Sequence, residues 1–157
     1  MNGSRMALAA LVVLLAVLYF VLRVGMGLGL LVPDLIVVAV LLAARQLRPG
    51  WAAGVGLLLG VLEGSMFPLT FGASALALTL LGYLGSRTRD VFSGGGLVFL
   101  AFYLFAGKWL YDIVLYVVLL GLVRPGPPSA LLLISPLAAL YAAAAGLVAY
   151  SAYRTLS

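Results

Sequence analysis

The chain has 157 residues, of which 66% are hydrophobic and only 8% are charged, with a formal net charge of +5. Soluble globular domains are roughly 45–50% apolar and 25% charged, so this composition is typical of an integral membrane protein without a separate soluble domain. The absence of cysteine and histidine excludes disulfides, thiolate chemistry and histidine-based catalysis. The basic residues stand singly at the ends of apolar runs, where membrane topology explains them and nucleic-acid binding is not indicated.

Six apolar runs predict an all-α membrane protein with six transmembrane helices in a single domain, residues 1–157. The first run continues to Arg23 without the small-residue cleavage pattern of a signal peptide, so we expect it to be a retained helix. Pro33 and Asp34 suit the start of the second helix, because proline needs no N–H partner there and an acid accepts from free N–H groups. The predicted helices cover approximately residues 6–24, 30–45, 50–66, 70–86, 94–123 and 129–154.

The distribution of arginines predicts the orientation of the helices. An even number of helices places both termini on one side of the membrane, and only Arg23 and Arg124 fall on the opposite side. Cytoplasmic loops carry the excess of basic residues, so we predict that both termini are cytoplasmic. The arginines on the side of the termini are Arg5, Arg45, Arg48, Arg87, Arg89 and Arg154.

The third predicted helix carries a row of glycines, Gly56, Gly60 and Gly64, spaced four residues apart. Rows of small residues let two helix backbones approach closely in lipid, where packing drives helix association. We therefore expect this helix to lie close to the packing centre. The row suits a neighbouring helix of the same chain and the membrane helix of another protein equally well, and the sequence leaves both open.

Five charged residues in or beside the apolar runs are candidate polar sites. Arg23, Asp34 and Glu63 are predicted near the outer face, as an interfacial charge set that fixes helix ends or as a contact for a ligand or partner. Lys108 and Asp112 are four apart and share a face of the fifth helix near the middle of its span. Because each charge alone costs about 2.5–3.5 kcal/mol there, we expect these two to pair, either to hold the bundle together or as a functional group.

The sequence offers no set of residues for catalysis. It lacks a cysteine nucleophile, histidine, a metal-ligand cluster and a glycine-rich phosphate loop opening a soluble helix. We therefore predict that the protein is not an enzyme and has no cofactor.

Three short segments of the middle third of the chain carry a family resemblance. Pro33-Asp34 opens the second helix, Gly56 to Glu63 is a glycine-rich stretch ending in an acid, and Gly72 to Leu76 reads GASAL at the entry to the fourth helix. In order and spacing these segments resemble the rod shape-determining protein MreD family. Glu63 departs from the family pattern, which usually has aspartate at that place.

The resemblance implies a non-enzymatic scaffold of the bacterial cell-wall elongation complex, located in the inner membrane and helping to maintain cell shape. Members of the family bind the single-span protein MreC and, through it, the actin-like filament and the wall synthases. We expect the row of Gly56, Gly60 and Gly64 to help form the groove for this partner. Gly60→Leu is then expected to abolish co-purification with MreC while the protein still inserts.

An alternative function follows from the same resemblance, because the family looks similar in fold to the six-helix substrate-binding subunits of energy-coupling-factor vitamin transporters. Such subunits usually carry an Ala-x-x-x-Ala pattern on the first helix for docking, and residues 6–22 contain no such pair. Few polar residues are available to bind a vitamin. Both features favour the scaffold.

Overall fold

The computed structural model describes residues 2–27, 32–91, 96–122 and 127–156. Within these ranges the chain consists of helices and short connections and contains no strand, which confirms the predicted all-α class. The six α-helices are α1 Asn2–Phe20, α2 Leu35–Gln46, α3 Pro49–Met66, α4 Phe71–Thr88, α5 Leu97–Leu122 and α6 Pro128–Leu156. A π-helical turn, Val21–Gly25, continues α1, and a 3-10 turn, Pro68–Thr70, precedes α4. The predicted helix ends at 30, 94 and 123, and Arg124, lie outside the described residues.

Four helical stretches of the described chain are long and apolar enough to cross a membrane. They are Gly3–Gly25, Pro68–Thr88, Leu97–Leu120 and Leu132–Thr155. The 12 residues of α2 make about 18 Å of helix, which is short of a hydrocarbon core of about 30 Å. Five glycines and an acid interrupt the apolar sequence of α3. The helices are thus compatible with a membrane protein, and four of the six predicted spans meet the criterion of length and composition.

The short helix α2 lies at the centre of the bundle. It packs against α1, α3, α4, α5 and α6, and every residue from Leu35 to Ala44 is buried. A helix that is apolar on all sides suits complete burial. The expectation that α3 lies at the packing centre is wrong, because α3 exposes a broad apolar face that includes Leu57, Leu58 and Leu62.

The glycine row of α3 packs against α4 of the same chain. A Cβ atom on Gly60 would lie 2.6 Å from the Cα of Ala75, and one on Gly64 would lie 2.6 Å from the Cα of Phe71. A Cβ atom on Gly56 would lie closer still to the α4 backbone, at the carbonyl group of Leu78. Because α4 fills the row, the row has no free face for another protein. The expectation that these glycines form the partner groove is therefore corrected in favour of packing within the chain.

Side chains of α4 and the turn after it hold the end of α2. The hydroxyl of Ser86 donates to the carbonyl oxygen of Leu47 at 2.6 Å. The Arg89 guanidinium donates to the carbonyl oxygens of Arg45 at 3.2 Å and of Leu47 at 3.1 Å. The last carbonyl groups of a helix have no partner inside it, so these bonds supply partners that the helix itself does not provide.

The start of α1 and the end of α6 lie at the same end of the bundle. The hydroxyl of Tyr153 lies 3.5 Å from the carbonyl oxygen of Ser4, to which it donates. Leu8, Arg45 and Tyr153 line one small cavity there. We call this the terminal end, and the opposite end, which Arg23 and Asp34 approach, the cleft end.

Candidate functional site

The charged residues that the sequence placed in two separate groups meet at one site. Lys108 Nζ lies 2.6 Å from Oδ2 of Asp34 and also contacts Asp112. Arg23 Nη1 lies 3.2 Å from Oδ1 of Asp34. The expected pairing of Lys108 with Asp112 is confirmed. The prediction that this pair lies apart from Arg23 and Asp34 is wrong, because Asp34 contacts both Arg23 and Lys108.

The length of α2 explains why these residues meet. Asp34 directly precedes α2, and a helix of only 12 residues starts deep in the bundle, level with the middle of α5. Arg23 reaches the same level from the π-helical turn that continues α1. The predicted capping role of Asp34 is not seen, since its side chain makes no bond to the N–H groups of α2. It contacts the two basic residues instead.

Glu63 of α3 is buried in the same site, with 7% of its surface exposed. Its Oε1 accepts a hydrogen bond from the Tyr19 hydroxyl at 2.9 Å, and its Oε2 accepts one from the Tyr111 hydroxyl at 3.1 Å. A buried acid is costly unless its oxygens are hydrogen-bonded, and two phenols from α1 and α5 supply these bonds. Arg23 also donates to the Tyr19 hydroxyl, so Glu63 is connected to the ion pairs.

Three side chains of this network were not among the predicted site residues. Ser135 of α6 donates to Oδ2 of Asp112 at 2.5 Å. Ser135 stands directly before Pro136, and α6 runs without interruption through that proline. Tyr19 stands four residues before Arg23, a spacing that places both on one helix face and could have indicated their contact. The three missed residues are Tyr19, Tyr111 and Ser135.

The network lines an open cleft of about 380 Å³. Apolar and hydroxyl side chains from the connection between α3 and α4 form part of its wall, and Leu115 of α5 contributes on another side. Each of the five charged residues contacts another member of the network, so the cleft presents paired charges. Such an arrangement can hold five helices in one relative position and can recognise a polar group that competes for these contacts. The residues of the wall between α3 and α4 are Phe67, Pro68, Leu69 and Thr70.

Two helices extend beyond the cleft. α5 continues from Asp112 to Leu122, about 15 Å of helix, and α6 begins at Pro128, about 10 Å before Ser135. The other four helices begin or end close to the cleft. We call residues 113–122 and 128–134 the α5–α6 arm. Its exposed large side chains are apolar and include Val117, Leu120, Leu132, Leu133 and Ile134.

The fold and the site define a class: an all-α protein of membrane type whose interior holds a cleft of paired charges. No protein-family model, curated protein or solved structure matches this chain. Its function is therefore argued from the cleft and from the surfaces around it.

Removing the hydroxyl group of Tyr111 is expected to destabilise the fold. The residue is 4% exposed, and Tyr111→Phe leaves Oε2 of Glu63 without its donor. A hydrogen bond to a charged group contributes about 1.5–3 kcal/mol, so the unfolding temperature in detergent should fall. Tyr83→Phe is the control, because the Tyr83 hydroxyl only accepts from exposed Arg87 at 3.3 Å. Equal unfolding temperatures for the two variants would contradict the assigned role.

Proposed function

We propose that the chain is a non-enzymatic, six-span scaffold of the bacterial cell-wall elongation complex, similar to the MreD family, with both termini in the cytoplasm. The observation that supports this proposal is the convergence of the three segments that carry the resemblance. Asp34, Glu63 and Ser74, one from each segment, line the same cleft. Segments that are distant in sequence but serve one role are expected to meet at one site.

The contacts inside the cleft suit a scaffold. Asp34 is held by Arg23 and Lys108, and Glu63 by two tyrosine hydroxyls, with all four of the closest separations between 2.6 and 3.2 Å. Buried charged groups tolerate few alternative packings, because each displaced ion would lose its partner. In our proposal the network fixes the relative positions of the helices, and a partner protein binds the surface that they form.

The partner surface has to lie away from the glycine row, which α4 fills. We place it on the α5–α6 arm, which exposes Val117 and Leu120 on one helix and Leu133 on the other. The single membrane helix of an MreC-type protein packed against this arm would also cover the mouth of the cleft. Charged groups are unfavourable beside lipid and favourable beside protein. Replacing lipid by the partner at the mouth of the cleft would therefore favour binding there.

A second function, the substrate-binding subunit of an energy-coupling-factor vitamin transporter, is favoured by one observation. The volume of the cleft, about 380 Å³, falls in the range of roughly 300–1,000 Å³ that is usual for small-ligand sites. Against this function, the charged groups of the cleft are already engaged with one another. The pairing therefore favours the scaffold.

Purification of the tagged chain from membranes of its native host tests the proposal. The wild-type protein is expected to recover MreC. Leu120→Trp on the arm should reduce the recovered MreC roughly tenfold, as expected for about 1–3 kcal/mol of overpacking at an interface.

Leu58→Trp on α3 is the matched control, since Leu58 is 62% exposed and Leu120 is 55% exposed. The control should leave the recovery of MreC unchanged. Recovery of energy-coupling subunits or a bound small molecule in place of MreC would support the second function and reject the first. An equal effect of the two tryptophans would reject the arm as the partner surface.

A further inference from the structure

A second cavity, of about 170 Å³, lies at the terminal end of the bundle. α1 and α6 both pack on α2, so α2 forms the floor of this cavity and the other two helices form its walls. The cavity lies at the opposite end of α2 from the cleft and shares no lining residue with it. The residues that line it are Leu8, Leu11, Leu42, Arg45, Gln46, Tyr150 and Tyr153.

The lining changes from polar to apolar along the helix axes. On α2, Gln46 and Arg45 stand at the terminal end, and Leu42 lies one turn further inside. On α1, Leu11 lies deeper than the start of the helix. On α6, Tyr153 lies in the last turns of the helix. A cavity with polar groups at its mouth and leucines inside matches the chemistry of an amphiphile.

Within the part of the chain that the structure describes, Arg45 forms no ion pair with an acidic side chain. Its Cζ lies 5.9 Å from the ring centroid of Tyr103 and 5.8 Å from that of Tyr150. Aromatic rings hold a guanidinium in place but do not neutralise its charge. Of the four acids in the chain, three belong to the cleft and Asp90 lies 3.8 Å from Arg89. Arg45 thus presents a fixed positive charge at the mouth of the cavity.

We propose that this cavity binds an anionic phospholipid, with its phosphate group on Arg45 and an acyl chain along Leu11 and Leu42. A guanidinium can donate two parallel hydrogen bonds to phosphate oxygens, and the side-chain amide of Gln46, which also lines the cavity, is a further donor. Basic pockets between membrane helices bind anionic head groups by the same chemistry. The proposal requires only that the bundle lies in a membrane, and it does not depend on the scaffold function.

Native mass spectrometry of the full chain in detergent, titrated with phosphatidylglycerol or phosphatidylethanolamine, tests this site. The wild-type protein is expected to bind one phosphatidylglycerol more tightly than phosphatidylethanolamine. Arg45→Gln should weaken that binding roughly fivefold, the effect of one basic contact at a membrane surface. Arg45→Lys keeps the charge and should retain most of the affinity.

Arg48→Gln is the matched control, because it removes the same charge from an exposed position that does not line the cavity. Its affinity for phosphatidylglycerol should equal that of the wild type. Equal binding by the wild type and Arg45→Gln, or equal losses in Arg45→Gln and Arg48→Gln, would overturn the site. Displacement of the lipid by inorganic phosphate alone would assign the site to free phosphate and overturn the acyl-chain contact.

Discussion

Replacing Lys108 with methionine is expected to be the most damaging single change in the cleft. Lys108 is 3% exposed and contacts both Asp34 and Asp112, so its removal leaves negative charge uncompensated in an apolar interior. Removing one partner of a buried ion pair costs about 3–5 kcal/mol. Methionine approximates the shape of the lysine stem, so the loss is electrostatic. A large fall in the unfolding temperature of the purified protein is the expected measurement.

Two companion variants separate this effect from a general intolerance of change. Asp112→Asn should be milder, because Lys108 keeps Asp34 at 2.6 Å. The double variant, with Lys108→Met and Asp112→Asn together, should recover part of the loss, because Asp34 still has Arg23 at 3.2 Å. If Lys108 and Asp112 paired only with each other, either single change would be worse than the double change, because it would leave one charge without a partner. Asp34 removes that symmetry, and equal unfolding temperatures for all three variants would contradict a buried ionic network.

Gly60→Leu is expected to destabilise the bundle itself rather than only its contact with a partner. A Cβ atom on Gly60 would lie 2.6 Å from the Cα of Ala75 and 2.8 Å from the carbonyl oxygen of Ser74. These are backbone atoms, so a leucine fits only if α3 and α4 move apart. Overpacking of this kind costs about 1–3 kcal/mol and sometimes more. The measurement is the monodisperse fraction and the unfolding temperature after extraction from the membrane.

Gly54→Leu on the same helix is the matched control. A Cβ atom on Gly54 meets nothing within 4 Å, and the gain in helix propensity from replacing glycine is the same at both positions. The control should therefore be as stable as the wild type or slightly more stable. If Gly60→Leu behaves like Gly54→Leu, the glycine row is not packed against α4 and is again available to a partner.

The helices could be predicted from the sequence, whereas their arrangement could not. Proline is the first residue of two of them, Pro49 in α3 and Pro128 in α6, and this preference is a local property of the backbone. The burial of α2 at the centre of the bundle leaves no comparable pattern in the sequence. Lipid and protein interior are equally apolar, so a helix surrounded by protein resembles one surrounded by lipid.

The charged residues of the candidate site were predicted from the sequence, whereas the hydroxyl side chains that contact them were not. Arg23, Asp34, Glu63, Lys108 and Asp112 stand out because charge is rare in apolar runs. Tyrosine is common where membrane helices meet water, so a tyrosine that supports a buried acid cannot be distinguished by its residue type. Contact between the two predicted groups of charged residues depends on how deep in the bundle α2 begins. Tertiary packing determines that depth, and the sequence does not show it.

The shortness of α2 also changes the electrical environment of the site. Water that enters the cleft is separated from the terminal end by about 18 Å of helix, compared with about 30 Å of hydrocarbon in an undisturbed bilayer. In a bundle that spans a membrane, the voltage would drop over this shorter path, and the field along α2 would be about 1.7 times that in the surrounding lipid. In that setting the ionic network would stand at the cleft end of this steeper gradient.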